Sequence, residues 1–167
     1  MPLLSDHARK KKINYFMHRV AKDALVLEIG SGEGWLGRYL RENGWKNYTG
    51  IDIRPGNGIV GDVRDWKNLG LAPASFDVIV AFEVVEHVNI FKECYDLLKP
   101  GGQLFATSPV PRLDWVLKFF EFVGLNQKRT SPHDHLIEFE MVPYFEQRHT
   151  RIVAGLAQWG VFTKTGF

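Results

Sequence analysis

One cysteine in 167 residues, Cys94, leaves no partner for an internal disulfide and fits a reducing compartment. It lies in a helical stretch with Phe91, Leu97 and Leu98, where a small buried residue is expected rather than a nucleophile. No apolar run is long enough for a transmembrane helix and no signal peptide is visible, so the expected setting is soluble and cytoplasmic. Net charge is scarce too: 21 Lys and Arg against 19 Asp and Glu leave +2. Without a basic stripe, neither nucleic acid nor an anionic membrane has an electrostatic case. Gly-Lys-Ser/Thr is missing, which excludes a P-loop. The length suits one domain with a single substantial core.

What is present centres on residues 25–40, L-V-L-E-I-G-S-G-E-G-W-L-G-R-Y-L. Ala24–Ile29 is a branched apolar run, short enough for a strand buried on both faces. Gly30, Gly32 and Gly34 alternate after it, and Trp35, Leu36, Tyr39 and Leu40 recur at helical spacing. Strand, close turn, helix is the first unit of an open α/β sheet, and such sheets bind ligands beyond the carboxyl ends of their strands. A dinucleotide fingerprint would need glycine where Trp35 stands. Glu28 and Glu33 in the loop, with Asp52 and Asp62 closing later apolar runs, disfavour a pyrophosphate and suit hydroxyls and a cation.

E-I-G-S-G-E-G at 28–34 resembles motif I of class I S-adenosylmethionine (SAM)-dependent methyltransferases. I-D-I at 51–53 is similar to their acidic, ribose-binding end of strand two, and G-D-V-R-D at 61–65 to the loop that holds adenine. F-D-V-I-V-A at 76–81 and L-L-K-P-G-G-Q-L at 97–104 resemble strand four and the entry to strand five. The resemblance runs over residues 24–109. It implies a Rossmann-like, doubly wound, mostly parallel α/β sheet flanked by helices. It also implies SAM bound by Glu28, Gly30, Ser31, Gly32, Gly34, Asp52, Ile53, Asp62, Val63 and Phe82. The chemistry agrees: one carboxylate at Asp52 can accept from two neighbouring ribose hydroxyls, and Asp62 can accept from an adenine amino group while Val63 covers the ring. Asp65 reads as a turn or cap residue before Trp66.

In chain order, residues 5–22 read as a helix capped by Ser5 or Asp6, with Ile13, Phe16, Met17 and Val20 as its apolar stripe. The basic run Arg9 to Lys12 reads as a solvated face; the resemblance adds the sharper reading that this helix lids the cofactor. Asn43-Gly44 stops the second helix. Strands are expected at Tyr48–Ile53, Gly58–Gly61, Phe76–Val84 and Gln103–Ser108, with a helix over Lys92–Leu98. Leu113–Leu125 is apolar nearly all round, either core or a lid over the acceptor, and marks a helical cap or insertion at about 110–135 in a single domain spanning 1–167. A helix from near Pro143 to Trp159 and one strand over Val161–Phe167 leave the sheet with a shortened C-terminal edge, where the resemblance would place a hairpin.

The segment Glu83-Val84-Val85-Glu86-His87 would, if helical, put Glu83, Glu86 and His87 on one face. Three readings stay open. The carboxylate and imidazole brace the helix; or His87 is a general base for an acceptor hydroxyl, imidazole being the group that exchanges protons near neutral pH; or Glu83, Glu86, His87 and His135 hold Mg²⁺ or another divalent metal. The metal reading rests on resemblance: ubiquinone-pathway O-methyltransferases and small-RNA 2′-O-methyltransferases carry a similar E-x-x-E-H. Asp134-His135 with Glu138-Phe139-Glu140 resembles part of the RNA enzymes' downstream segment, at a different spacing and without its tryptophan. The functional expectation is SAM-dependent methyl transfer to a small-molecule acceptor. The alternatives are a metal-assisted O-methyltransferase acting on RNA or a quinone-type hydroxyl, and a non-catalytic SAM-fold subunit. The last would use residues 113–125 as a homo-oligomer or partner interface, the surface through which a peripheral membrane enzyme would also dock.

Overall fold

The computed structural model describes residues 3–56, 58–111 and 137–165, the side chains of residues 3–6 excepted. The insertion expected at about 110–135, the helix Leu113–Leu125 and His135 lie almost wholly or wholly outside the described residues. The order of elements is α1 (Leu3–Phe16), β1 (Leu25–Ile29), α2 (Trp35–Glu42), β2 (Asn47–Asp52), β3 (Ile59–Val60), β4 (Phe76–Phe82), α3 (Phe91–Leu97), β5 (Leu98–Pro109), β6 (Phe145–Val153) and β7 (Ala157–Lys164). A short 3₁₀ turn, Met17–Arg19, follows α1, so the expected first helix ends one turn early.

The strands form one seven-stranded sheet in the order β3-β2-β1-β4-β5-β7-β6. β3 through β5 run parallel; β7 is antiparallel to both its neighbours. Side chains alternate across each central strand, so each strand feeds two cores. Leu27, Ile29, Ile79, Ala81, Leu104 and Ala106 face one layer, where α3 contributes Phe91, Cys94 and Leu97. Val26, Val78, Val80 and Phe105 face the other, against Ile13, Phe16 and Met17 at the amino-terminal end and Leu36 and Leu40 of α2. Cys94 is fully buried, as expected, and burial drives its thiol pKa far upward.

The carboxyl-terminal edge corrects the sequence reading. Residues 145–153 are a strand, not a helix, and pair with β7 over most of its length. The hairpin is present and the sheet edge is not shortened. β6 is the outermost strand, exposed at most of its positions, and its register slips at Gln147/His149. With solvent on both faces and an irregularity in the middle, it lacks the period-two alternation that marks a half-buried strand.

Candidate functional site

The site grows from the turn after β1. Gly30 N–H and Ser31 N–H donate to Ile51 O at 2.8 and 3.1 Å, drawing the turn onto the end of β2. Two glycines there answer different demands. At Gly30, with φ +78°, an added Cβ would sit 2.5 Å from Cγ2 of Val84, so the residue is fixed by protein packing. At Gly32, with φ +47°, the same Cβ would meet nothing within 4 Å: the turn is open to space on that side. Ser31 is buried between them, and Gly34 leads into α2.

Asp52 ends β2 with 9% of its surface exposed. Its Oδ2 accepts from Gly32 N–H at 2.8 Å and its Oδ1 from Arg54 N–H at 2.9 Å. A carboxylate offers about four acceptor positions, so it can still take two hydroxyl donors. Ile53 beside it keeps 72% of its surface exposed, an apolar side chain left uncovered at the mouth of the turn. Gly56 closes against the turn, where a Cβ would lie 2.8 Å from Gly32 O. The proline and glycines at 55–58 read as a turn from the sequence, but the contact of Gly56 with Gly32 and the part played by the Arg54 N–H carried no sequence signal.

Asp62 caps the 3₁₀ turn Val63–Asp65, accepting from Arg64 N–H at 2.9 Å and pairing with the Arg64 guanidinium at 2.5 Å. The guanidinium holds its carboxyl below the usual range. Val63 turns into the core at 5% exposure, leaving Ile53 as the open apolar surface. Asp65 accepts from the Asn68 amide, a turn residue as expected.

Glu28 is buried on β1, where its carboxylate accepts from Tyr48 O–H. Burial, with the charge of Asp52, pushes its pKa up to about 7, against the lowering effect of the tyrosine hydrogen bond. Phe82 stacks 6.4 Å from Trp35 and packs 5.1 Å from Phe16. Above these rings Arg9 lies 5.4 Å from the Trp35 centroid and Lys12 lies 5.5 Å from that of Phe82, so the basic run of α1 is in part a contact surface over the site.

The segment after β4 also corrects the sequence reading. Glu83 to His87 form a bend and a turn, not a helix. Glu83 takes φ +58° with its N–H on Thr107 O at 2.9 Å, so the chain swings away before a helical face can form. The Glu83 side chain is 64% exposed and pairs with Lys12. Glu86 is 1% exposed and its Oε2 has no hydrogen-bond partner among the described residues. Burial pushes the Glu86 pKa up to about 8. His87 is half-buried, its N–H on Val84 O at 2.9 Å. Among the described residues, no group of three or more His, Cys, Asp and Glu side chains could hold a metal ion. One exposed and one buried carboxylate do not make the chelating face that a helix would have made, and no step is assigned to a metal.

A cleft of about 540 Å³ lined by Arg19, Asp77 and Lys99 lies at the amino ends of β1 and β4. It is at the far end of the sheet from the glycine turn, and ligands of open α/β sheets sit at the carboxyl ends.

The family model for the methyltransferase domain matches residues 5–154. Ubiquinone biosynthesis O-methyltransferase of Pseudomonas aeruginosa (strain UCBPP-PA14) is 33% identical, over 50% of this chain and 43% of its own length. The enzyme of the same name from Xylella fastidiosa (strain M23) is 34% identical, over 58% of this chain and 47% of its own. The chain spans about half the length of the curated relatives it matches. Among solved structures, the PH0226 protein of Pyrococcus horikoshii OT3 superposes with a TM-score of 0.68 at 18% identity, covering 95% of this chain and 91% of that one. A SAM-dependent methyltransferase of Methanosarcina mazei gives 0.67 at 19%, covering 90% and 97%. These likenesses show the fold: a parallel sheet closed by an antiparallel hairpin. The chain belongs to the methyltransferase-domain family, with the fold of class I SAM-dependent methyltransferases.

Proposed function

We propose that this protein binds SAM across the glycine turn and transfers its methyl group to a small-molecule acceptor. The observation that carries the reading is the Asp52 carboxylate, fixed by Gly32 N–H and Arg54 N–H at the carboxyl end of β2 with acceptor positions to spare. It supports Asp52 as the ribose-binding residue, with Gly30, Ser31, Gly32 and Gly34 giving the close backbone and Ile53 covering adenine. Glu28 would set a negative charge beneath the turn, and Phe82 would wall the site. Asp62 reaches the adenine edge only in competition with Arg64, and Val63 would support the loop from below.

SAM when bound would supply a sulfonium methyl: an acceptor nucleophile would bond to that carbon in line as the methyl–sulfur bond breaks, with S-adenosylhomocysteine as the leaving group. What this chain contributes is orientation and the exclusion of water, which is where most of such a barrier is lowered. His87 stands just beyond the carboxyl end of β4, and we assign it the role of base that takes the acceptor's proton. The relatives' name, an O-methyltransferase, supports a hydroxyl as that acceptor.

The test is isothermal titration with SAM and with S-adenosylhomocysteine. Wild-type protein is expected to bind both, and Asp52→Asn to lose roughly tenfold or more in affinity, the scale of one hydrogen-bonded charge. No binding by folded wild-type protein would overturn the reading. His87→Ala is expected to keep SAM affinity while turnover of a phenolic acceptor falls roughly a hundredfold.

A further inference from the structure

Glu28 occupies a position where an anion is costly. It sits inside the sheet, opposite Gly50 of β2 and Val80 of β4, at 3% exposure and two residues before Gly30. The Tyr48 hydroxyl hydrogen-bonds its Oε2 from the neighbouring strand. Burial and the negative charge of Glu28 drive the Tyr48 pKa upward, so this hydroxyl keeps its proton and remains a donor.

The placement of Tyr48 is itself built. Its ring lies against Gly37 in the first turn of α2, where a Cβ would stand 2.5 Å from the ring. Glycine inside a helix costs about 1 kcal/mol relative to alanine, and here it clears the path of one side chain. Arg41, one turn further along α2, lies 5.8 Å from the same ring. α2 therefore presses the tyrosine toward β1. The charged or titratable groups around the carboxylate are Tyr48 and Asp52 of β2 and, behind the tyrosine, Arg41 of α2.

We propose that Tyr48 is a positioning residue for the cofactor site, its hydroxyl holding the Glu28 carboxylate in one orientation and in its anionic form beneath the glycine turn. This rests on the reading of the turn as a SAM site. SAM carries a sulfonium and an ammonium against one carboxylate, a net positive charge, and it is bound better by a turn with an anionic floor than by one with a neutral floor. Without the hydroxyl, desolvation acts on Glu28 unopposed, and the carboxyl takes up a proton at a higher pH.

SAM binding by wild type, Tyr48→Phe, Glu28→Gln and the double variant, titrated from pH 6 to 9 beside a melting curve for each, tests this. The wild type is expected to lose affinity on acidification through about pH 7. In Tyr48→Phe that loss should begin about one unit higher, leaving roughly threefold weaker binding at pH 7.5 and approaching tenfold near pH 6. In the Glu28→Gln background, Tyr48→Phe should change neither affinity nor profile, the two effects being one. A Tyr48→Phe profile superimposable on wild type overturns the role of the tyrosine, as does an equal tyrosine effect with and without Glu28. Absence of SAM binding by folded wild-type protein overturns instead the reading on which the role depends. Should Tyr48→Phe melt too low to titrate, Gly37→Ala, which crowds the ring and keeps the hydroxyl, must shift the profile in the same direction; an unshifted profile there also overturns the role.

Discussion

At the scale of single residues, the two loop glycines separate stability from binding. Gly30→Ala brings a methyl to 2.5 Å from Val84 at φ +78°. It is expected to cost about 2 kcal/mol or more, combining a left-handed conformation with overpacking. Gly32→Ala meets no protein atom within 4 Å. Its stability cost should stay near 1 kcal/mol, while on the proposed reading of the turn SAM affinity falls by a factor of ten or more, the methyl entering the space assigned to the ligand. Melting temperature and SAM titration on the two variants check this; equal affinity losses would show that the open side of Gly32 is not where the cofactor lies. The same residues show what composition cannot convey. Three alternate glycines announce a close turn, but which is held by protein and which is left open depends on Val84, fifty-four positions away.

Among the elements, α1 is part of the core rather than a removable lid. Phe16 is 1% exposed and stacks on Phe105 at 5.3 Å, with Phe82 and Trp159 at 5.1 and 5.6 Å. Phe16→Ala is expected to destabilise the protein by about 3–5 kcal/mol, read from denaturant unfolding; a cost below 1 kcal/mol would mean that α1 detaches freely. The Lys12–Glu83 pair over the site should matter far less. Glu83 is 64% exposed while the Lys12 side chain is 12% exposed, and Lys12→Met, which keeps the apolar stem where it packs, should change stability by about 1 kcal/mol or less. The apolar stripe of the amino-terminal segment was legible in the spacing of Ile13, Phe16, Met17 and Val20, all four buried, the last two in and just after the 3₁₀ turn that follows α1. The bend after β4 was not: Glu83 adopts φ +58° where its backbone meets Thr107, a tertiary contact with no local sequence signal. The hairpin was missed for a related reason, since exposed β6 is defined by its pairing with β7 rather than by its own pattern.

On the scale of the whole molecule, two buried carboxyl groups set the pH dependence of folding. Glu28 and Glu86 have folded pKa values of about 7 and about 8, above the ordinary glutamate value. The folded state therefore holds more protons than the unfolded state across this range. The stability these groups confer is complete below the unfolded value near 4.3 and is lost as pH rises through 7 to 8. Asp62 and Asp77 act in the opposite sense, their lowered values giving stability that disappears only in acid. Melting temperature is expected to be highest near pH 5 and to fall by several degrees toward pH 9, and Glu86→Gln should flatten the fall. A melting temperature that climbs from pH 5 to pH 9 would contradict the buried placement of both groups.

The sequence by itself determined the five parallel strands and the helices α2 and α3 between residues 24 and 109, the glycine turn and the acidic end of β2. Each is written in neighbouring residues: a branched apolar run, a break that only glycine tolerates, a helical stripe. Tertiary structure alone decided that Glu86 is buried while Glu83 is exposed, that Tyr48 reaches Glu28, that Gly37 makes room for it, and that residues 145–153 pair as the edge of the sheet. Burial, charge state and edge pairing are properties of what lies across a space from a residue, and that neighbour is chosen only when the chain has closed on itself.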